Sequence, residues 1–117
     1  MARILIVDDE PLIAMLSEEW LAELGHEAVG PAHDLASAMK LADTTMDGAI
    51  LDVSLGVHKS YDVARRLRDR GIPLAFATGH APEALSEEFT GALTLAKPFS
   101  FEAFRAVVTA LASSAGG

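Results

Sequence analysis

In the segment RILIVDDEP, residues 3–11, an apolar run passes directly into three acids. Residues 4–7 predict a buried strand, and Asp8, Asp9 and Glu10 follow at its carboxyl end. Adjacent carboxylates repel one another, and an unpaired charge beside a low-dielectric interior is costly. We therefore expect a positive counter-charge to lie near the end of this strand.

Four further short apolar runs predict strands along the chain. Apart from Thr94, each is apolar along its length, as expected of a strand that is covered on both faces. Together with the first run, the predicted strands comprise residues 4–7, 28–30, 49–51, 74–77 and 93–96.

Helical patterns lie between the strands and after the last one, marked by capping residues and apolar faces. The predicted helices start at or just after Pro11, Asp34, Ser60, Pro82 and Ser100. The fourth, ending at Leu85, is short. The residues expected on the apolar face of the first helix are Ile13, Leu16, Trp20 and Leu24, and those of the last are Phe101, Phe104, Val108 and Leu111.

The strict alternation of five strands and five helices predicts an α/β fold, a doubly wound parallel sheet between two helix layers. All strands of such a sheet end on the same edge, and ligands bind there. Residues that follow different strands are therefore expected to meet, although they are far apart in sequence.

The composition limits the class of protein. The chain has 117 residues, enough for one domain, and half of them are hydrophobic. It has no cysteine, which excludes disulfides, thiolate metal sites and thiol nucleophiles. It shows neither a signal-peptide pattern nor an apolar run of about 18 residues, and its net charge of −8 disfavours the nucleic-acid backbone. We therefore expect a cytoplasmic domain without membrane insertion or direct nucleic-acid binding.

One helical stretch, ARRLRDRG at residues 64–71, holds four of the nine basic residues. A solvated helix face is the simpler interpretation, and a docking patch for a partner is the alternative. The four residues are Arg65, Arg66, Arg68 and Arg70.

Four of the five predicted strands end in reactive polar groups. Asp8-Asp9-Glu10 follow the first, Asp52 the third, Thr78-Gly79 the fourth and Lys97-Pro98 the fifth. Each residue alone has a simpler interpretation as a helix cap, a turn hydroxyl or a solvated strand end. Their occurrence together at one sheet edge predicts a site.

The chemistry of these groups indicates phosphoryl transfer. Three carboxylates need more positive charge than Lys97 provides, and a hard divalent cation such as Mg²⁺ prefers oxygen ligands. A cation, an ammonium group and the hydroxyl of Thr78 together surround an anion in the manner of a phosphoryl site. Asp52 stands apart from the other acids and is the candidate nucleophile, since an aspartate can form an aspartyl phosphate.

In this order and at these strand ends, the residues resemble the receiver domain of two-component response regulators. The resemblance covers residues 1–112, with 113–117 as a flexible tail, and implies the flavodoxin-like strand order 2-1-3-4-5. It implies that Asp52 accepts a phosphoryl group from a phosphohistidine on a sensor histidine kinase or a histidine phosphotransfer protein. The chain then signals through a downstream protein target and catalyses nothing beyond its own phosphorylation and dephosphorylation.

The resemblance also assigns roles to the remaining residues. Asp9, Asp52 and the backbone carbonyl of Ser54 would bind Mg²⁺ or Mn²⁺, with Asp8 acting through a metal-bound water. Thr78 and Lys97 would contact phosphoryl oxygens, and the Lys97–Pro98 bond would be cis. The residues that tune dephosphorylation would be Ser54, Gly79 and His80.

The sequence departs from the family pattern in the segment between Thr78 and Lys97. Thr94 occupies the position of the usual switch aromatic, and the segment is a few residues short. We hypothesise that phosphorylation orders or shifts this segment instead of turning an aromatic ring. The FATG motif, residues 76–79, resembles that of stand-alone receivers of alphaproteobacterial signalling. Gly56 predicts a more flexible loop after Asp52.

Other functions remain open at this point. A receiver-like interaction module that has lost phosphotransfer is the main alternative, although it would have no need of every site residue. A flavodoxin would place an anion-binding loop where VDDEP lies, and a dehalogenase-type phosphatase would place its nucleophile after the first strand. Because the chain ends soon after the last helix, we expect it to act by docking on another protein or to be part of a longer one.

Overall fold

The computed structural model describes residues 1–79 and 85–116. The strands are β1 (Arg3–Val7), β2 (Glu27–Ala32), β3 (Gly48–Asp52), β4 (Ser54–Leu55), β5 (His58–Lys59), β6 (Leu74–Thr78) and β7 (Leu93–Ala96). The α-helices are α1 (Pro11–Glu23), α2 (Leu35–Leu41), α3 (Tyr61–Asp69) and α4 (Phe101–Gly116), and Glu87–Phe89 form a 3-10 turn. Within these two ranges, no helix combines the length and apolar character needed to cross a membrane.

Five strands form a parallel sheet in the order β2-β1-β3-β6-β7. This confirms the doubly wound α/β fold, since β6 and β7 are the fourth and fifth predicted strands. The short strands β4 and β5 form a separate antiparallel hairpin between β3 and α3. The hairpin was not predicted, because two-residue strands leave no periodic pattern in the sequence.

The core lies on both faces of the sheet, which explains the continuously apolar strands. Side chains alternate along β1, so that Leu5 and Val7 face one layer while Ile4 and Ile6 face the other. The first layer contains the buried Val63 of α3. On the opposite side, the helix-borne core is formed by residues of α1 and α4 such as Leu21, Phe104, Val108 and Leu111.

Helix α1 uses a different face from the one that the sequence predicted. Its buried residues are Ala14, Ser17 and Leu21, while Ile13, Leu16, Trp20 and Leu24 are half-buried. Small side chains at 14 and 17 allow the helix to approach the sheet closely, so the larger ones lie along its flank. Trp20 there packs edge-on against the rings of Phe99, Phe101 and Phe104.

Two of the predicted caps are confirmed and one is wrong. The Asp34 side chain accepts from the backbone N–H of Ser37 at 2.8 Å, and Ser100 accepts from Ala103 at 3.1 Å. Ser60 does precede α3, but its hydroxyl makes no capping hydrogen bond and is buried without a partner. Residue type alone does not fix this outcome, because the rotamer of a fully buried serine depends on its surroundings.

The predicted fourth helix lies mostly outside the described residues, and the chain end differs from the prediction. The proposed start of the fourth helix, Pro82, lies outside the described residues, and the described part of that connection, from Leu85, forms only the 3-10 turn. The described residues thus contain four α-helices and this turn, and the predicted fourth helix at residues 82–85 is not tested by them. Helix α4 extends to Gly116 and includes most of the predicted tail, because serine and alanine at 112–115 continue a helix without strain.

The arginines of α3 bind neighbouring segments of the same chain. Arg65 and Arg68 pair with Glu88, and Arg66 pairs with Asp43 at 2.6 Å. Arg70, which directly follows α3, donates to the carbonyl oxygens of Ala42 and Thr44. These contacts attach α3 to the 3-10 turn on one side and to the loop after α2 on the other.

Candidate functional site

The carboxyl ends of four strands meet at one edge of the sheet. Asp8–Glu10 follow β1, Asp52 ends β3, Thr78 ends β6 and Lys97 follows β7. The backbone N–H of Lys97 donates to the Thr78 carbonyl at 2.7 Å, which extends the pairing of β6 and β7 to the site. The parallel topology thus brings together the polar groups that the sequence singled out.

The Lys97 ammonium group lies among three carboxylates. Its Nζ atom is 3.0 Å from Asp8 Oδ2, 2.9 Å from Glu10 Oε1 and 3.2 Å from Asp52 Oδ2. Only 10 % of the lysine side chain is exposed. Burial disfavours its charged form, but the hydrogen bonds to Glu10 and Asp8 and the negative charges of Asp52 and Asp8 together outweigh that effect and raise the pKa of Lys97 above its ordinary value.

Asp52 is a buried carboxylate, with 8 % of its surface exposed. Burial raises its pKa from 3.8 to about 6, against the opposing effect of the Lys97 charge and with a smaller contribution from the negative charge of Asp8. The group is therefore largely ionised at neutral pH. A desolvated carboxylate held at the mouth of a cleft is suited to act as a nucleophile.

The acids leave an excess of negative charge that a cation would balance. Oxygen atoms of Asp8, Asp9, Glu10 and Asp52 all lie within 4.8 Å of one another, while Lys97 contributes a single positive charge. The donors are hard carboxylate oxygens, which fit Mg²⁺ or Mn²⁺ rather than a metal that prefers nitrogen or sulfur. These residues therefore fit a hard divalent cation.

A cleft of about 210 Å³ opens beside these groups. Of the remaining predicted site residues, Ser54 and Gly79 line it, and Thr78 is buried with 6 % exposure at the end of β6. The Ser54 hydroxyl accepts from Lys59 Nζ at 2.9 Å, within the β4–β5 hairpin. His80, predicted to tune dephosphorylation, lies outside the described residues.

Three contacts of the site were not anticipated from the sequence. Glu10 binds Lys97, whereas the sequence assigned it no role of its own. The backbone N–H of Gly56 donates to Asp9 Oδ2 at 3.1 Å, and the His33 ring lies 3.0 Å from the Asp8 carbonyl. Nothing in the sequence indicated that Gly56 would bind Asp9. The position of Glu10 next to Asp8 and Asp9 did indicate that Glu10 lies at the same edge of the sheet.

The Lys97–Pro98 peptide bond is cis, as the resemblance implied. Thr94, a small polar residue at the position of the usual switch aromatic, is exposed on β7. The side chain at this position therefore faces solvent and is not an aromatic ring.

Comparison with known proteins agrees with this geometry. The family model described as "Response regulator receiver domain" matches residues 4–109. The transcriptional regulatory protein PdtaR of Mycobacterium tuberculosis is 37% identical over 103 residues, which are 84% of this chain and 50% of that protein. The chain thus spans half of that curated relative and 42% of another, the phyllosphere-induced regulator PhyR of Methylorubrum extorquens.

Among solved structures, the fold is similar to the solution structure of SdrG from Sphingomonas melonis Fr1. The identity is 41%, the TM-score is 0.83, and the match covers 95% of this chain and 96% of that one. The BeF3-activated conformation of SdrG matches with a TM-score of 0.79 over 94% and 95% of the two chains. With the family model spanning most of the sequence and the predicted residues gathered at one sheet edge, this chain belongs to the response regulator receiver domain family.

Proposed function

We propose that this chain is a phosphorelay receiver in which Asp52 accepts a phosphoryl group from a phosphohistidine. The observation that carries the proposal is the position of the Lys97 ammonium group between Asp52, Asp8 and Glu10. Such a cation holds a carboxylate nucleophile in place and can pair with the negative charge of an incoming phosphoryl group.

The proposed cation ligands are Asp8, Asp9, Asp52 and the backbone carbonyl of Ser54, with Asp8 acting through a water. The close approach of the carboxylate oxygens supports the three aspartates of this set. When bound, Mg²⁺ or Mn²⁺ supplies positive charge beside the phosphoryl oxygens. The protein side chains then determine which atom reacts.

In the proposed reaction, a carboxylate oxygen of Asp52 forms a bond to phosphorus while the phosphorus–nitrogen bond to the donor imidazole breaks. Lys97 exchanges its contact with the free Asp52 carboxylate for one with a phosphoryl oxygen. The Thr78 hydroxyl donates a hydrogen bond to another oxygen of that group. Beyond gaining and losing its own phosphoryl group, the chain turns over no substrate in this proposal.

The partners in this proposal are proteins. A sensor histidine kinase or a histidine phosphotransfer protein supplies the phosphoryl group, and a downstream protein target recognises the phosphorylated state. The similarity to SdrG, a protein solved in a BeF3-activated conformation, supports the use of beryllofluoride as a mimic here. Tuning of dephosphorylation by Ser54, Gly79 and His80, the domain boundary at residue 112 and a cytoplasmic location all stay predictions.

The test is the intact mass of the protein after incubation with acetyl phosphate, with and without Mg²⁺. We expect the mass to increase by one phosphoryl group only when Mg²⁺ is present, and not at all in Asp52→Asn. Asp69→Asn is the matched control, since Asp69 is an exposed acid at the end of α3 and has no contact with the site. If neither a phosphoryl adduct nor Mg²⁺-dependent beryllofluoride binding is found, the alternative gains support: a receiver-like interaction module that is not phosphorylated.

A further inference from the structure

Residues 85–89 are held against helix α3 by contacts that meet at Tyr61. The backbone N–H of Ser86 donates to the Tyr61 hydroxyl at 3.1 Å, and the Tyr61 and Phe89 rings stack with centroids 5.8 Å apart. Phe76 of β6 packs edge-on against both rings, at 5.7 Å and 5.3 Å. Tyr61 is thus the residue of α3 that contacts the 85–89 segment both by a hydrogen bond and by ring packing.

Ion pairs strengthen the same junction. Glu88 binds Arg65 at 2.7 Å and Arg68 at 3.0 Å, and the Arg68 guanidinium lies 5.4 Å from the centre of the Phe89 ring. Both arginines belong to α3. A displacement of α3 would therefore displace residues 86–89 with it.

The amino end of α3 is connected to the site by a short path. The eight residues between Asp52 and Tyr61 contain the β4–β5 hairpin. That segment is fixed to the site, because Gly56 donates to Asp9, and it is closed at its base by the bond from the Ser60 N–H to the Val53 carbonyl at 2.9 Å. A change of charge at Asp9 or Asp52 thus acts on a segment that leads directly to Tyr61.

The packing around Tyr61 leaves two hydroxyl groups unsatisfied. Among the described side chains, the buried oxygen atoms without a hydrogen-bond partner are those of Ser60 and Ser86. Ser60 precedes Tyr61 in the chain, and Ser86 donates its backbone N–H to the Tyr61 hydroxyl. An unpaired buried hydroxyl is unfavourable, so either group would gain a hydrogen bond in any rearrangement of this junction that gives it a partner.

We infer that Tyr61 is a positioning residue that transmits the state of Asp52 to residues 85–89. It acts through its hydroxyl bond to Ser86 and its stacking on Phe89, in a fold whose β7 presents the exposed Thr94. The inference rests on the proposed phosphorylation and names the residue that couples it to the segment after β6. In the phosphorylated state the ring of Tyr61 and the amide of Ser86 change their environment together.

The composition permits a direct test, because Tyr61 is the only tyrosine in the chain. Protein made with 3-fluorotyrosine carries one fluorine label on this residue, and bound beryllofluoride has fluorine signals of its own. We expect the fluorotyrosine resonance to shift when Mg²⁺ and beryllofluoride are added together, and to stay in place in Asp52→Asn.

The same spectrum distinguishes a failure of the Tyr61 role from a failure of the proposed phosphorylation. Bound-beryllofluoride signals with an unmoved fluorotyrosine resonance would overturn the role of Tyr61 and leave the proposed function standing. A spectrum that lacks bound-beryllofluoride signals would count against the proposed function and, with it, against the inference.

A second experiment tests whether the Tyr61 hydroxyl is required for the coupling between Asp52 and residues 86–89. Amide hydrogen exchange of residues 86–89 is compared with and without Mg²⁺ and beryllofluoride in the wild type, in Tyr61→Phe and in Trp20→Phe. Phenylalanine keeps the ring packing and removes the bond to Ser86, while Trp20 belongs to the aromatic cluster on the other face of the sheet. We expect at least a threefold change in exchange at Ser86 in the wild type and in Trp20→Phe.

In Tyr61→Phe that change should disappear, although beryllofluoride still binds. A wild-type-sized response in Tyr61→Phe would show that the hydroxyl bond is not needed and would overturn the inference. Tyr61→Phe retains the rings of the core, so a general loss of folding is readily recognised from uniform exchange across the sheet.

Discussion

At the scale of single residues, the site depends on the balance of charge around Lys97. Its ammonium group is within 3.2 Å of oxygens on Asp8, Glu10 and Asp52. The sequence predicted the meeting of these groups because parallel strands end on one edge. The sequence could not predict the contact between Glu10 and Lys97, since side-chain distances depend on the exact direction of the chain after β1.

Replacing Lys97 by glutamine should reduce phosphorylation of Asp52 about tenfold or more, because a fixed charge that stabilises the transferring group is lost. Lys40→Gln is the matched control, since Lys40 is exposed on α2 and distant from the site in the fold. The measurement is the initial rate of mass increase with acetyl phosphate and Mg²⁺. Equal rates for Lys97→Gln and wild type would refute the role of the ammonium group.

The raised pKa of Asp52, about 6 against 3.8 for the ordinary group, predicts a pH dependence of stability in the metal-free protein. The folded state binds the proton more tightly than the unfolded state. The stability contributed by this group is therefore fully present below about pH 4 and is lost as the pH rises through about 6.

Asp52→Asn cannot ionise and should remove this dependence. We expect it to be more stable than the wild type at pH 7 by about 1 kcal/mol, with the difference vanishing towards pH 4. Urea unfolding in the presence of a chelator measures both proteins at each pH. A variant that is less stable than the wild type at pH 7 would contradict the burial argument.

At the scale of elements, the β4–β5 hairpin and the 3-10 turn were the parts that the sequence did not reveal. Both are too short to leave a periodic pattern, and both are fixed by contacts to distant residues, Gly56 to Asp9 and Glu88 to the arginines of α3. The face of α1 was also misjudged, because Ala14 and Ser17 are buried by close packing rather than by their own hydrophobicity. The strands were predictable because apolar runs indicate two covered faces, whereas their order followed from the resemblance to receiver domains.

The hairpin gives a prediction at Gly56, whose φ of +64° favours glycine. Gly56→Ala should lower the free energy of unfolding by about 1 kcal/mol, through backbone strain and with no clash, since nothing lies within 4 Å of an added methyl group. Gly91→Ala is the control, as that position is equally open and has no positive φ. Urea unfolding of both variants should show a loss only in Gly56→Ala, and an equal effect in both would rule out the strain.

At the scale of the whole molecule, two core layers hold the strands so that their ends converge. Phe104 of α4 is fully buried between the sheet, Trp20 and Phe99, whereas Leu12 of α1 is 75% exposed. The core positions of the strands followed from the sequence. The exposure of Leu12 did not, because it depends on how α1 is rotated on the sheet.

Phe104→Ala should destabilise the fold by about 3–5 kcal/mol, since it removes a buried ring and leaves a cavity. Leu12→Ala, at an exposed site, should change stability by about 0.5 kcal/mol or less. Thermal or urea unfolding measures both. A small effect at Phe104 would show that the layer between α1, α4 and the sheet is not the core described here.

Phosphorylation at Asp52 is tested by locating the phosphoryl group in the chain. After reaction with acetyl phosphate and Mg²⁺, borohydride reduces an aspartyl phosphate to homoserine, which tandem mass spectrometry of the digest assigns to a residue. We expect homoserine at position 52, and only when Mg²⁺ was present. Modification at Asp8 or Asp9, or at Asp52 in equal amount without Mg²⁺, would contradict it.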